Sequence, residues 1–179
     1  LALVMGGGTG RFLGALLTHD PHLTAVSIDL SPGMTRRTRS RLASRGLSDR
    51  AELRVGGLDE LGPDERFDLV VTHCFLDLFD EANLQAVVER LNRSLERGGH
   101  WLFSDFAADG SGFAQAVRRS IVAVLYAFFR ATCSIPVNHL PHFDRAFDRA
   151  GLQTVVRRRL LGGLLQTALL RKRPEVLSA

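Results

Sequence analysis

Glycines at positions 6, 8 and 10 sit between an apolar run, Leu3-Val4-Met5, and an amphipathic stretch that begins at Arg11. A strand-to-helix junction without side chains lets a ligand approach the amides that open the helix, where an electron-rich group is favoured. Asp29 closes the next apolar run, the place where an acid in an α/β sheet accepts hydrogen bonds from ribose hydroxyls. Together the loop and the acid point to a nucleoside-containing ligand. The dinucleotide fingerprint GxGxxG fails in every register, and only its relaxed form GxGxxxG is met, by Gly8, Gly10 and Gly14. A nicotinamide-dependent oxidoreductase therefore stays open as an alternative.

The elements that must hold these residues alternate along the chain. Short apolar runs predict strands at Ala2 to Met5, Thr24 to Asp29, Ala51 to Val55, Phe67 to Thr72, His100 to Asp105, Gln153 to Leu160 and Leu164 to Arg171. Between them, helices are predicted at Arg11 to Thr18 and at Pro32 to Arg45, the latter with Ser31 as N-cap and proline at the first helical position. A third runs from Glu81 to Glu96, where Leu84, Val87, Val88, Leu91 and Leu95 recur at helical spacing and Gly98-Gly99 follows. A longer apolar helix is expected over Phe113 to Thr132, and a stripe of Leu140, Phe143, Phe147 and Ala150 stops at Gly151. This is the pattern of βαβ units around a mostly parallel sheet covered on both faces. Gly162-Gly163 joins the last two strands too closely for a parallel crossover, so the sheet should end in an antiparallel hairpin. The expected architecture is a single Rossmann-like, doubly wound seven-stranded domain. A strand at the very start of the chain needs cover, so an N-terminal segment is expected to precede Leu1.

At this level of detail the sequence resembles the class I S-adenosylmethionine-dependent methyltransferases over nearly its whole length. Gly6-Gly7-Gly8-Thr9-Gly10 is similar to that family's first motif, Ser27-Ile28-Asp29-Leu30-Ser31-Pro32-Gly33-Met34 to its second, and Phe67-Asp68-Leu69-Val70-Val71-Thr72 to its fourth-strand motif. Leu95 to Leu102 resembles the entry to its fifth strand, and the terminal hairpin separates this fold from dinucleotide-binding domains. The resemblance implies S-adenosylmethionine as cofactor and methyl transfer to a small molecule. By position it implies that Gly6, Gly7, Gly8 and Gly10 line the methionine part, Asp29 holds the ribose, and Leu30 and Met34 flank the adenine. Gly57 and Leu58 would lie at the adenine edge and Thr72 beside the sulfonium. Two departures stand out: Val4 where the family usually has an acid before the first glycine, and Gly57 where it usually has one after the third strand. The latter leaves adenine recognition to the backbone near Leu58 or to Asp59. These departures motivate a further alternative, a methyltransferase-like binding or regulatory module without turnover.

Methyl transfer is an in-line displacement on an activated carbon, so alignment and exclusion of water dominate. A base, where one is needed, would come from the carboxyl ends of the fourth and fifth strands; His73 and Asp105 are the candidates. Phe75, Phe106, Tyr126 and Phe129 are candidates for an acceptor pocket. His139 and His142 flank Pro141 without further ligands at a recognisable spacing, so no metal is expected. Asp77 and Asp80 read as loop or cap acids, and Thr72-His73-Cys74-Phe75 stands where a nucleic-acid methyltransferase would carry an NPPY-like tetrapeptide.

The formal charge is +4, with hydrophobic residues at 45%. The basic residues cluster, Arg36, Arg37, Arg39, Arg41 and Arg45 on one predicted helix and Arg157 to Arg159 on one strand, and no aromatic residues interleave them. That favours solvated faces over a nucleic-acid track. Cys74 and Cys133 lie far apart with no zinc-ligand spacing, which suits free thiols in a cytoplasmic setting. The longest apolar run, Ile121 to Phe129, is about half of the ~20 residues needed to span a bilayer.

Overall fold

The computed structural model describes residues 1–107 and 141–173. The expected helix over Phe113 to Thr132, and with it Tyr126, Phe129, Cys133, His139 and Leu140, lies outside the described residues.

Seven strands form one sheet: β1 (Ala2–Met5), β2 (Ala25–Asp29), β3 (Ala51–Val55), β4 (Phe67–His73), β5 (Leu95–Phe106), β6 (Leu152–Leu160) and β7 (Leu165–Lys172). Their order is β3-β2-β1-β4-β5-β7-β6. β1 to β5 are parallel, and β7 is antiparallel to both β5 and β6. The helices are α1 (Arg11–His19), α2 (Pro32–Ala43), α3 (Glu81–Ser94) and α4 (Phe143–Arg149). Chain direction across the sheet reverses between β1 and β4, so the loops after those two strands flank a crevice at the strands' carboxyl ends, where α/β sheets bind ligands.

Each sheet face buries its own core. On one, Leu13 and Leu17 of α1 and Leu42 of α2 pack on Ala2, Val4, Ala25 and Val71. On the other, Leu84, Val88 and Leu91 of α3 and Phe143 and Phe147 of α4 pack on Leu3, Met5, Val70, Trp101 and Phe103. Side chains alternate between these faces along each strand, which decides where the residues at the strand ends point.

Several boundaries shift, most of them by one residue, and the larger shifts have local causes. α2 stops at Ala43 rather than Arg45, because Gly46 turns the chain with a φ of +66°. Leu95 and Glu96 belong to β5 rather than α3, because Leu95 already pairs with Phe67. The chain then kinks at Gly98, where φ is +75°, and a Cβ on Gly99 would lie 3.0 Å from both the Asp68 and Glu96 carbonyl oxygens. α4 is a short helix starting at Phe143. In the terminal hairpin, Leu161–Gly163 forms a single 3-10 turn.

Candidate functional site

The glycine loop is a bend set by backbone conformation. Gly6, Gly8 and Gly10 have φ values of +66°, +57° and +70°, a region that side chains make costly. The bend is tight on three sides. A Cβ on Gly7 would lie 2.6 Å from Ser27 Oγ, one on Gly10 would lie 2.7 Å from Thr38 Cγ2, and one on Gly6 would lie 3.4 Å from the Phe75 ring. At Gly8 a Cβ would meet nothing within 4 Å. The side chain missing at Gly8 therefore leaves open space beside the bend, while those missing at Gly7 and Gly10 let β2 and α2 close in.

Asp29 faces this bend. Its Oδ2 accepts the Gly8 amide at 2.8 Å and its Oδ1 accepts the Ser31 amide at 2.9 Å. Each oxygen keeps a second lone pair for a ligand hydroxyl. The outer rim is held by α2, whose Thr38 hydroxyl donates to the Gly8 carbonyl at 3.0 Å and whose Arg41 Nε donates to the Thr9 carbonyl at 2.9 Å. Sequence reasoning missed both ties, since they depend on how α2 crosses the loop.

Beyond Asp29, Leu30 is 69% exposed, and its Cδ2 lies 3.7 Å from where a Gly57 Cβ would be. Asp59 Oδ1 accepts the Gly57 amide at 3.1 Å, and Leu58 packs partly against the core. Leu30, Gly57, Leu58 and Asp59 thus meet at the ends of β2 and β3 as one apolar-edged shelf. Met34 lies in the first turn of α2, its amide donating to Ser31 Oγ at 3.3 Å. Val4 is 1% exposed in the α1 core, with Cγ1 3.6 Å from a Cβ at Gly7. Beneath the bend, the position of the usual acid is therefore occupied by packed hydrocarbon.

Thr72, His73 and Asp105 do not converge. Thr72 is fully buried, and its Oγ1 accepts the Trp101 indole N–H at 2.9 Å. Its side chain belongs to the α3 core, and only its main chain, paired with Met5, borders the bend. His73 falls on the opposite face, edge-on to Phe12 of α1 with ring centroids 4.3 Å apart. Its Nε2 is buried without a hydrogen-bond partner, and burial holds its imidazole below the ordinary histidine value. His73 pairs with Ser104 in the sheet, so alternation puts Asp105 on the α3 face.

Asp105 is fully buried and accepts three amides, from Leu76 at 3.1 Å, Asp77 at 3.3 Å and Phe106 at 2.9 Å. It clamps the 3-10 turn Leu76–Leu78 onto the end of β5. Burial, then the adjacent Asp77 carboxyl, holds the Asp105 carboxyl protonated well above the usual carboxylate range. Burial and these two acids push the Cys74 thiol up to about 12. Asp80 caps α3 through the Asn83 amide at 2.8 Å, as a loop acid should. His142 lies beside Glu81, and among the described residues no cluster of histidine, cysteine and acid side chains could hold a metal.

Known proteins are similar to this chain in sequence and in fold. A malonyl-[acyl-carrier protein] O-methyltransferase of a Paenibacillus species is 30% identical over 109 residues, 58% of this chain and 38% of its own length. The chain thus spans well under half of that curated relative. Among solved structures, the mitomycin 7-O-methyltransferase superposes with a TM-score of 0.76 at 21% identity, covering 96% of this chain and 48% of the other. An O-methyltransferase of neocarzinostatin biosynthesis, solved with S-adenosylmethionine and a naphthoic acid, superposes with a TM-score of 0.71 at 20% identity, covering 96% and 48%. Both share the fold, with its hairpin-terminated sheet. Residues 3–101, from the first strand through the glycine loop, Asp29 and the fourth strand into the fifth, match the family described as methyltransferase domain, and the chain belongs to that family.

Proposed function

We propose that this domain binds S-adenosylmethionine at the Gly6–Gly10 bend and transfers its methyl group to a small-molecule acceptor. The carrying observation is the open space at Gly8 facing a carboxylate that already holds the Gly8 amide. In this reading Gly6, Gly8 and Gly10 border the methionine part, Asp29 takes the ribose hydroxyls, and Leu30, Leu58 and Met34 border the adenine, with Gly57 keeping its edge free of a side chain. When bound, the cofactor supplies a methyl group already activated on sulfonium.

The chain's own work is then to orient and to exclude water. Phe75 lies against Gly6, and Asp105 fixes the turn that follows it, so Asp105 acts as a positioning residue for that wall. His73 is the proposed base: burial favours its neutral form, its buried Nε2 has no partner within the protein, and a shift of the ring from its place beside Phe12 would present that nitrogen to a hydroxyl acceptor. The acceptors named for the relatives, malonyl-[acyl-carrier protein] and 8-amino-8-demethylriboflavin, support a small acceptor group over nucleic acid. The separated cysteines support a cytoplasmic setting, and no helix among the described residues is long and apolar enough to cross a membrane.

Titration calorimetry with S-adenosylmethionine on the wild type and on Asp29→Ala tests the binding. Formation of S-adenosylhomocysteine with candidate acceptors tests the turnover. A folded wild type that takes up no S-adenosylmethionine would end this reading, and binding without turnover would leave the non-enzymatic module in its place.

A further inference from the structure

The two halves of the sheet are covered differently. On the face that carries α1 and α2, the core among the described residues runs from Ala2, Val4, Ala25 and Val71 only as far as half-buried Leu102 of β5. Beyond it, Val156 and Leu160 of β6 are 51% and 50% exposed. On the opposite face of the same half, Phe103, Ala168 and Leu170 are buried against the core that α3 and α4 share.

Register sorts the open face into rows, because side chains in register on neighbouring strands share a face. His73 of β4 pairs with Ser104 of β5, Ser104 with Thr167 of β7, and Thr167 with Arg158 of β6. This polar row starts at the carboxyl end of β4, beside the crevice. An apolar row flanks it on each side, Leu102, Leu169 and Val156 on one and Phe106, Leu165 and Leu160 on the other. None of these rows carries an acid.

The chemistry changes along the polar row. At one end, burial keeps His73 neutral and its Nε2 has no partner. In the middle, Ser104 Oγ donates to Thr167 Oγ1 at 2.8 Å, and Thr167 Oγ1 donates to the Phe103 carbonyl at 3.0 Å. Both hydroxyl protons are committed, so the pair offers a ligand only lone pairs, which repel an anion. At the other end Arg158 is exposed and makes no ion pair among the described residues.

We propose that this row is the acceptor lane, and that it selects an elongated apolar hydroxy acid with its hydroxyl at His73 and its carboxylate at Arg158. This rests on the reading of His73 as the base. Three inter-strand steps separate the two ends, about 14 Å, and an arginine side chain that reaches back over Thr167 shortens the gap to the length of a rigid biaryl. The flanking rows take the hydrocarbon body, and the arginine fork takes the carboxylate through two parallel hydrogen bonds. A short hydroxy acid reaches only one end, a neutral alcohol leaves Arg158 unanswered, and an anionic group in the middle meets only lone pairs. On transfer, the hydroxyl oxygen bonds the methyl carbon as the carbon–sulfur bond breaks, and the hydroxyl proton passes to His73 Nε2.

The test begins without cofactor, so that it stands apart from S-adenosylmethionine binding. Fluorescence titration of the whole chain would compare a hydroxybiphenyl carboxylic acid with its two groups at opposite ends, its methyl ester, the parent hydroxybiphenyl, and para-hydroxybenzoate. The long acid is expected to bind about tenfold tighter than the ester or the parent alcohol, a preference that shrinks as salt rises. Arg158→Gln should erase that preference and leave the ester unchanged. Arg171→Gln removes an equal charge from the same face two rows away and should keep it. With S-adenosylmethionine added, Arg158→Gln should raise KM for the long acid about tenfold while kcat stays within about twofold. Equal binding of acid and ester, a preference that survives Arg158→Gln, or a short acid that binds as tightly as the long one would each overturn the proposal. Selectivity that holds while no S-adenosylhomocysteine forms sinks the methyl-transfer reading and leaves the hydroxy-acid site in place.

Discussion

The Asp29 carboxylate reaches back over 21 positions to hold the Gly8 amide at 2.8 Å, and its second oxygen holds Ser31 at 2.9 Å. One side chain at the end of β2 thereby fixes the loop after β1 and the first turn before α2. The acid is already aimed at the open side of the bend, so little reorganisation is needed when a ligand arrives.

Removing that carboxylate should therefore cost affinity and stability together. Asp29→Ala leaves two amides without their acceptor, at about 1–3 kcal/mol of stability, and lowers S-adenosylmethionine affinity by about a hundredfold, near 3 kcal/mol. Asp29→Asn keeps one acceptor oxygen and should fall between. Calorimetric titration and thermal unfolding on the same samples check both; unchanged affinity in Asp29→Ala would separate the acid from the ligand.

Two alanine substitutions in the same loop should fail differently. At Gly8 the new methyl meets no protein atom within 4 Å, so Gly8→Ala costs only the left-handed backbone strain, about 1–2 kcal/mol, yet fills the ligand's space and abolishes measurable binding. At Gly10 the methyl would stand 2.7 Å from Thr38 Cγ2 and 3.0 Å from its Cα, so α2 must move and the melting temperature should drop further. A Gly8→Ala protein that still binds would show that the ligand does not approach there.

Much of this was legible in the sequence for physical reasons. Short apolar runs and punctuating glycines announce the sheet and its hairpin, and Asp29 stands out in the sequence because an acid at a strand end next to a glycine bend has few other uses; the structure turns it toward that bend. What failed to show was direction. His73 and Asp105 are equivalent as strand-end polar residues, and only the pairing of His73 with Ser104 reveals that they face opposite cores. Thr72 reads as a site residue until Trp101, 29 positions away, claims its hydroxyl. The three amides on Asp105 come from a turn that no periodicity announces.

Thr72→Val should consequently act on stability alone. It strands the Trp101 N–H in a buried core, at about 1–3 kcal/mol, while S-adenosylmethionine affinity stays within twofold of wild type, about 0.4 kcal/mol. Denaturant unfolding and titration together decide it; a large loss of affinity with unchanged stability would return the hydroxyl to the site.

His73 should give the protein an acid-side weakness. Its folded value is held below the ordinary histidine value by burial, so the unfolded chain binds the proton first. Stability is then full above about pH 6.5 and is lost as pH falls through the lowered folded value. His73→Gln should flatten that slope and, if His73 is the base, also lower kcat about a hundredfold with little change in KM for the cofactor. Unfolding measured across pH 4 to 8, roughly the span of carboxylate and histidine titration, reads the first effect and initial rates read the second.

Asp105 carries the opposite sign. Its folded value is raised by burial and by Asp77, so the folded state keeps a proton that the unfolded chain gives up near pH 4. The stability this contributes is present at low pH and declines as pH rises toward the raised folded value. Asp105→Asn is neutral at every pH and still offers an oxygen to the amides of Leu76 and Asp77, so it should remove this slope and match or exceed wild-type stability at neutral pH. Asp105→Ala removes the slope as well but leaves three amides unanswered, costing about 2–4 kcal/mol and loosening the Phe75 wall, which should raise KM for the cofactor more than it lowers kcat. If the asparagine variant instead loses turnover while keeping full stability and cofactor affinity, Asp105 takes part in the chemistry and does not merely hold the turn in place.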